Sequence, residues 1–86
     1  MRFQGAVIRE QNVTFAIAIV KQHVIDSQSD ANKAVRSFGY AFNGLPTVLM
    51  AQDGRGRPTW YGRPDLTRFL SRVSVSAIPW REYTLN

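Results

Sequence analysis

The sequence contains no cysteine among its 86 residues. This absence excludes disulfide scaffolds, thiol redox chemistry, cysteine nucleophiles and every cysteine-containing zinc site. A chain of this length must then be held together by one hydrophobic core, and its 44% hydrophobic content is ordinary for a globular protein. We expect a single domain over residues 1–86 that folds without a disulfide or a metal ion.

Long apolar runs are also missing. The longest covers residues 13–20, is interrupted by Thr14, and is far shorter than the ~20 residues that a membrane span requires. Charged side chains surround the short apolar stretches near the start of the chain, a pattern that predicts neither a signal peptide nor an anchor. The expectation is therefore a soluble, cytoplasmic protein without a membrane partner.

Groups that carry out acid–base or metal chemistry are scarce. His23 is the only histidine, and none of the six carboxylates forms a pair at catalytic spacing. With Asp26 and nearby serines His23 could act as a general base, but a partly exposed surface histidine is the simpler interpretation. His23 and Asp26 supply two ligands where stable zinc sites have three or four. We expect no metal, no cofactor and no catalytic residue, and we favour a non-enzymatic protein.

Two strands are predicted at the start of the chain, over residues 3–9 and 13–20, joined by a polar turn at Glu10-Gln11-Asn12. In the second strand large side chains alternate with small ones such as Ala16 and Ala18. This alternation is typical of a central strand buried on both faces, with a helix packed on the small face. The pattern allows this strand to continue through His23 to residue 25.

A helix is predicted next, from the apolar stripe of Ala31, Ala34, Val35, Phe38 and Phe42. Its N-cap is Ser27 or Ser29, and Asn43-Gly44 ends it.

The second half predicts strands over residues 47–52 and 58–62 around a turn at Asp53-Gly54. Because Pro58 lacks a backbone donor, its strand is placed at a sheet edge. A second helix begins near Pro64 or Asp65. The tail after Ser74 is too apolar to remain in solvent, and a fifth strand is one way of packing it.

The resulting order is strand, strand, helix, strand, strand, helix and tail, which predicts an α/β (α+β) domain with a mixed four- to five-stranded sheet and two helices. A helical connection makes the second and third strands parallel, whereas short turns make the outer pairs antiparallel.

Residues 44–54, Gly-Leu-Pro-Thr-Val-Leu-Met-Ala-Gln-Asp-Gly, followed by Tyr61-Gly62 and a helix, resemble the second half of a thioredoxin. The resemblance implies a cis peptide bond before Pro46, although a trans proline is the usual state. Since the paired cysteines are absent, no redox role is implied. A thioredoxin-like non-redox ligand-binding domain or small enzyme would have its pocket at His23, Pro46 and Thr47.

The whole chain, including its ending Ile-Pro-Trp-Arg-Glu-Tyr, also resembles a group of short bacterial proteins of unassigned function. This resemblance implies a complete natural protein and carries no chemistry.

Positive charge is concentrated in the second part of the chain. Residues 54–86 hold six arginines against two carboxylates, which is +4 of the net +5. Such a field attracts polyanions. Arginines interleaved with aromatic side chains bind single-stranded nucleic acid, and the residues predicted to form this surface are Arg55, Arg57, Trp60 and Arg63. Because Trp60 and Tyr61 point to opposite faces of a strand, the alternative is a solvated basic edge with one aromatic side chain in the core.

Our leading hypothesis is a non-enzymatic binding or interaction module that uses these four residues to contact a protein partner or a second copy of itself. A nucleic-acid-binding protein with the same surface is the first alternative, and the non-redox ligand-binding domain or small enzyme is the second.

Overall fold

One mixed sheet organises the part of the chain that the computed structural model describes, residues 1–10 and 12–85. The strands are β1 (Arg2–Glu10), β2 (Val13–Ile19), β3 (Thr47–Gln52), β4 (Pro58–Tyr61) and β5 (Arg81–Thr84). They lie in the order β4-β3-β2-β1-β5. Strands β2 and β3 are parallel, and the remaining neighbours are antiparallel. The predicted fold class is confirmed, as is the position of Pro58 on an edge strand; Gln11 of the predicted turn lies outside the described residues.

Both predicted helices are present, as α2 (Gln28–Ala41) and α3 (Pro64–Leu70). The N-cap of α2 is Ser27, whose hydroxyl accepts a hydrogen bond from the Asp30 amide at 3.3 Å. The helix ends where Asn43 and Gly44 adopt left-handed φ values of 56° and 81°. No helix in the described ranges is long and apolar enough to cross a membrane.

A short helix that the sequence pattern did not predict, α1 (Gln22–Asp26), follows β2. Strand pairing continues to Val20, whose amide donates to the Met50 carbonyl at 2.9 Å, and the Val24 amide then bonds back to Lys21. Val20 ends the extended segment and Val24 lies in the helix, and both pack against the buried cluster that contains Ala18. The prediction that the strand reaches residue 25 is therefore wrong, and His23 lies in a helix.

The core has two parts because β2 is buried on both faces. Phe15 and Ile17 point to the side covered by α3, which we call the α3 face. Ala16 and Ala18 point to the side covered by α2, which we call the α2 face. All four side chains are fully buried. Small side chains let a helix lie close to the sheet, so the predicted placement of α2 on the alanine face is confirmed.

The C-terminal tail is fixed by aromatic contacts and forms the predicted fifth strand. The ring of Tyr83 in β5 stacks on that of Phe3 in β1, with centroids 5.7 Å apart, and meets the Phe42 ring edge to face at 4.9 Å. Aromatic pairs of this kind contribute about 0.5–1.5 kcal/mol each beyond their buried area. On the α3 face the Trp80 indole Nε1 donates to the Val75 carbonyl at 2.9 Å. These contacts hold β5 against β1; Asn86 lies outside the described residues.

Pro46 leads directly into β3. Its carbonyl accepts a hydrogen bond from the Ala16 amide at 2.8 Å, and Thr47 then pairs with Ala16 in the parallel ladder. The described residues contain no cis peptide bond. The cis proline implied by the thioredoxin resemblance is therefore wrong, because an extended trans link already places β3 in register with β2.

Strands β4 and β5 form the two edges of the sheet. An edge strand offers unpaired backbone groups to another strand. Self-association through an edge stays a prediction.

Gly5 allows β1 and β2 to come together beneath α2, and replacing it tests the packing of the α2 face. A Cβ atom at this position would lie 2.6 Å from the Ile17 carbonyl oxygen and 3.1 Å from the Phe42 ring. We expect Gly5→Ala to lower the free energy of unfolding by about 2 kcal/mol, since overpacking a tight core costs roughly 1–3 kcal/mol. Urea denaturation measures the change.

Gly54→Ala is the matched control, because a Cβ there meets nothing within 4 Å. It should leave stability unchanged or raise it by up to about 1 kcal/mol. Equal destabilisation by both substitutions would contradict the close approach at Gly5.

Candidate ligand-binding groove

The predicted basic hairpin is organised around Asp53. One carboxylate oxygen, Oδ1, accepts the amides of Arg55 and Arg57 at 2.8 and 3.0 Å, and Oδ2 accepts Arg57 Nε at 3.0 Å. The backbone bonds from Arg57 and Arg55, helped by the Arg57 side chain, hold the pKa of Asp53 below its ordinary value of 3.8. The Arg57 guanidinium therefore stabilises the turn, while Arg55 is exposed and has no ion pair within the described ranges.

Arg63 lies in the connection between β4 and α3 and binds Asp65. Its Nε and one terminal nitrogen donate to the two carboxylate oxygens at 2.7 and 2.8 Å. This two-point contact raises the pKa of Arg63 and lowers that of Asp65. Arg63 thus has a local partner at the start of a helix.

Trp60 and Tyr61 lie on opposite faces of β4, as the alternation predicts. Trp60 is half-buried and packs against the core on the α3 face. Tyr61 points to the α2 face, where its hydroxyl donates to Asn32 Oδ1 at 2.6 Å. Trp60 therefore contributes to the core, which matches the alternative interpretation of one inward-facing aromatic side chain.

The four residues of the predicted surface do not converge. Pro58 pairs with Gln52 at the end of β3, so Arg55 and Arg57 lie where β2 and β3 end. This side of the sheet is formed by strand ends and not by an edge strand, and we call it the carboxyl-end edge. Arg63 follows the other end of β4, toward the edge where β2 and β3 begin, the amino-end edge. The four residues of β4 separate the two by roughly 13 Å of strand.

The second predicted set, His23, Pro46 and Thr47, is also divided. Pro46 and Thr47 lie at the start of β3, whereas His23 follows the end of the parallel strand β2. Thr47 is buried, and its hydroxyl donates to the Leu45 carbonyl at 3.0 Å. No group of three or more possible metal ligands occurs among the residues described.

A groove of about 450 Å³ lies at the carboxyl-end edge on the α2 face, and His23 belongs to it. We call it the edge groove. The start of β1, the end of β2, and the helices α1 and α2 form its walls. Its floor consists of hydrocarbon side chains, and its rim consists of basic or nitrogen-bearing ones. The floor is Phe3, Val20, Val24, Ala34 and Phe38, and the rim is Arg2, Lys21 and His23, with Met1 beside them. Ile19 borders the groove, but its side chain packs on the α3 face.

The rim lies beyond the paired part of the first hairpin. The β1–β2 ladder ends at Gly5 and Ala18, and Arg2 and Lys21 lie past this pair, where both line the groove. Arg2 contacts Glu82 at 3.7 Å, with both side chains largely exposed. Lys21 has no ion pair in the described part of the chain. Two cations therefore face the same groove.

A second hollow of about 300 Å³ lies between the first hairpin and α3. Arg68 and Arg72 line it one helical turn apart, and they face Glu10 and Asp65 across the same space. Its charges are mixed, in contrast to the rim of the edge groove.

Sequence reasoning found His23 but missed its neighbours in the edge groove. The strand alternation ends at Lys21-Gln22, and Val20 and Val24 continue at helical spacing. That change of period was the available signal for α1. No local pattern joins Arg2 to Lys21, because only the first hairpin brings the start of β1 near the end of β2.

The Asp53 turn predicts an acid titration that can be checked by carboxyl ¹³C NMR. We expect Asp53 to titrate below 3.8, so the hairpin contributes stability above the unfolded-state pKa and loses it as the pH falls through the lower folded value. In Arg57→Gln the pKa should stay depressed, because the two backbone amides still donate to the carboxylate. A return to the ordinary value in this variant would show that the guanidinium alone is responsible.

Comparison with protein-family models, with curated proteins and with solved structures finds no match to this chain.

Proposed function

We propose that this protein is a non-enzymatic binding module whose ligand lies in the edge groove. The observation that supports this most directly is the groove's composition, a hydrocarbon floor beside a rim of Arg2, Lys21 and His23. Small-molecule sites are typically concave, about 300–1,000 Å³ in volume and mostly apolar, with a few polar groups that orient the ligand. The edge groove has each of these properties.

The groove supports binding better than the hairpin surface does. Arg57 and Arg63 are engaged by carboxylates of their own turns, and Trp60 packs against the core. A partner would have to compete with those contacts at positions that do not converge. In the groove, by contrast, side chains from two strands and two helices surround one space.

His23 fits binding better than catalysis. Its side chain is exposed on α1, and no hydrogen bond from it to a carboxylate or hydroxyl occurs in the described ranges. A general base is normally oriented by such a partner. At the rim the imidazole can contribute a hydrogen bond to a ligand.

Filling the groove tests this proposal. Ala34 lies on α2 and lines the floor, so Ala34→Met places a longer side chain in the space that a ligand would occupy. In a screen of small alkyl and aryl compounds observed by ¹⁵N chemical shifts, we expect binders to shift the amides of Val20, Val24 and Phe38. Ala34→Met should weaken their binding about tenfold, because losing the burial of two methylene-sized groups costs roughly 1.4 kcal/mol or more.

Ser37→Met is the control, since Ser37 is exposed on the same helix and does not line the groove. Equal weakening in both variants, or shifts confined to another surface, would contradict a ligand site in the groove.

Nucleic-acid binding is a second candidate, favoured by the surplus of unpaired cations. Of the eleven Lys and Arg residues, the ion pairs of the described residues engage Arg2, Arg57 and Arg63. Basic side chains without an ion pair attract the phosphates of a nucleic acid. Such side chains are present at both the carboxyl-end edge and the amino-end edge.

Titration of a labelled single-stranded oligonucleotide at two salt concentrations tests the second candidate. If the hairpin carries the contact, Arg55→Gln with Arg57→Gln should weaken binding and reduce the salt slope by about 0.7 per arginine. Arg68→Gln with Arg72→Gln removes the same net charge from α3 and the turn that follows it, and should have a smaller effect. Equal losses would indicate attraction by net charge alone, and no binding at low salt would exclude this function.

A further inference from the structure

We infer that the ligand of the edge groove is a small amphiphilic anion, an alkyl or aryl group that ends in a carboxylate. The inference rests on the proposed function, because it assigns a chemical class to the ligand of that same site. Two independent features of the groove lead to it, the chemistry of the floor and the placement of charge on the rim.

The floor requires an apolar group. Each of its side chains, from Phe3 and Val20 to Phe38, consists of hydrocarbon only. A polar group placed against this surface would lose its hydrogen bonds to water and find none in exchange, which is unfavourable. An alkyl or aryl group instead gains about 25 cal/mol for each Å² of apolar surface that leaves water.

The rim requires a negative group. Arg2 and Lys21 both line the groove together with His23, and like charges that border one space repel each other. No Asp or Glu is among the described residues that line the groove. An anion bound between the two cations relieves their repulsion, so the head group and the rim stabilise one another.

The contact between Arg2 and Glu82 does not remove the need for a negative group of the ligand at the rim. It spans 3.7 Å, and the two side chains are 78% and 56% exposed. Exposed ion pairs contribute little to stability, so Arg2 can turn to a ligand at little cost. The second hollow lacks this property, because Glu10 and Asp65 already oppose its arginines.

Octanoate and octanamide form the matched pair of probes, since they share an alkyl chain and differ in charge. We expect both to shift the amides of Val20 and Val24, with octanoate binding about tenfold more tightly because two surface charge contacts contribute roughly 0.7 kcal/mol each. Raising the salt concentration should weaken octanoate and leave octanamide unchanged.

Lys21→Gln with Arg2→Gln should bring the affinity for octanoate down to that for octanamide. Arg55→Gln is the control, because Arg55 lies at the same sheet edge and does not line the groove. The substituted side chains are exposed, and an amide spectrum checks that each variant is folded. If the double variant unfolds, the unaltered protein still tests the anion preference. The two probes are then compared with each other, each at two salt concentrations.

The outcomes separate this inference from the proposed function. Equal binding of both probes in the groove would overturn the anion preference and leave a ligand-binding groove in place. Failure of both probes, and of the wider screen, to shift groove amides would overturn both. Binding to vesicles of anionic lipid without binding of free octanoate would assign the rim to a membrane surface and contradict a small-molecule ligand.

Discussion

The need to cover strand β2 on both faces governs the rest of the structure. Its large side chains, including Phe15 and Ile17, leave water only if α3 and the tail pack over them. Its alanines leave room for α2 to approach the opposite face. Burying one large side chain contributes about 1.5–3 kcal/mol, so a chain of 86 residues depends on both layers. A substitution that opens either layer exposes the same strand.

This arrangement limits where charged and ligand-binding groups can lie. With both faces of the central strand covered, polar side chains are left at the strand ends and on the outer surfaces of the helices. Strands β2 and β3 are parallel and joined through α1 and α2, so the connecting helices begin at the carboxyl-end edge. The edge groove lies between those helices and the start of β1. It is a consequence of the crossover connection, in the region where open α/β sheets commonly bind ligands.

Much of the fold follows from local patterns that the sequence contains. The alternation around Ala16 and Ala18 predicts a central strand, and Ser27 and Gly44 mark the ends of α2 by chemistry that acts over a few residues. Pro58 marks an edge strand because it cannot donate a hydrogen bond. Helix α1 was missed because its five residues are too few for a clear period, and its apolar side chains also fit a strand.

The candidate site could not be predicted in the same way. Arg2 and Lys21 are far apart in sequence and line one groove because the first hairpin brings the start of β1 near the end of β2. Trp60 and Tyr61 are equivalent in the pattern of β4, and only the packing of α3 against one face decides which of them enters the α3-face core. Arg55 and Arg63 are close in sequence, but the strand predicted over residues 58–62 lies between them, and in the structure β4 places them at opposite ends of the strands.

The distribution of charge explains why the net charge of this protein does not indicate where a ligand binds. A net charge of +5 attracts any polyanion, and this attraction decreases over a Debye length of about 8 Å at physiological salt. Asp53 and Asp65 each engage an adjacent arginine and so reduce the field near the hairpin and near α3. At the edge groove Glu82 contacts Arg2 at 3.7 Å with both side chains largely exposed, and Lys21 has no ion pair within the described ranges. Long-range attraction acts on every anion, whereas only an anion with an alkyl or aryl group can bury that group on the apolar floor beside the rim. Selectivity among anions therefore depends on the floor.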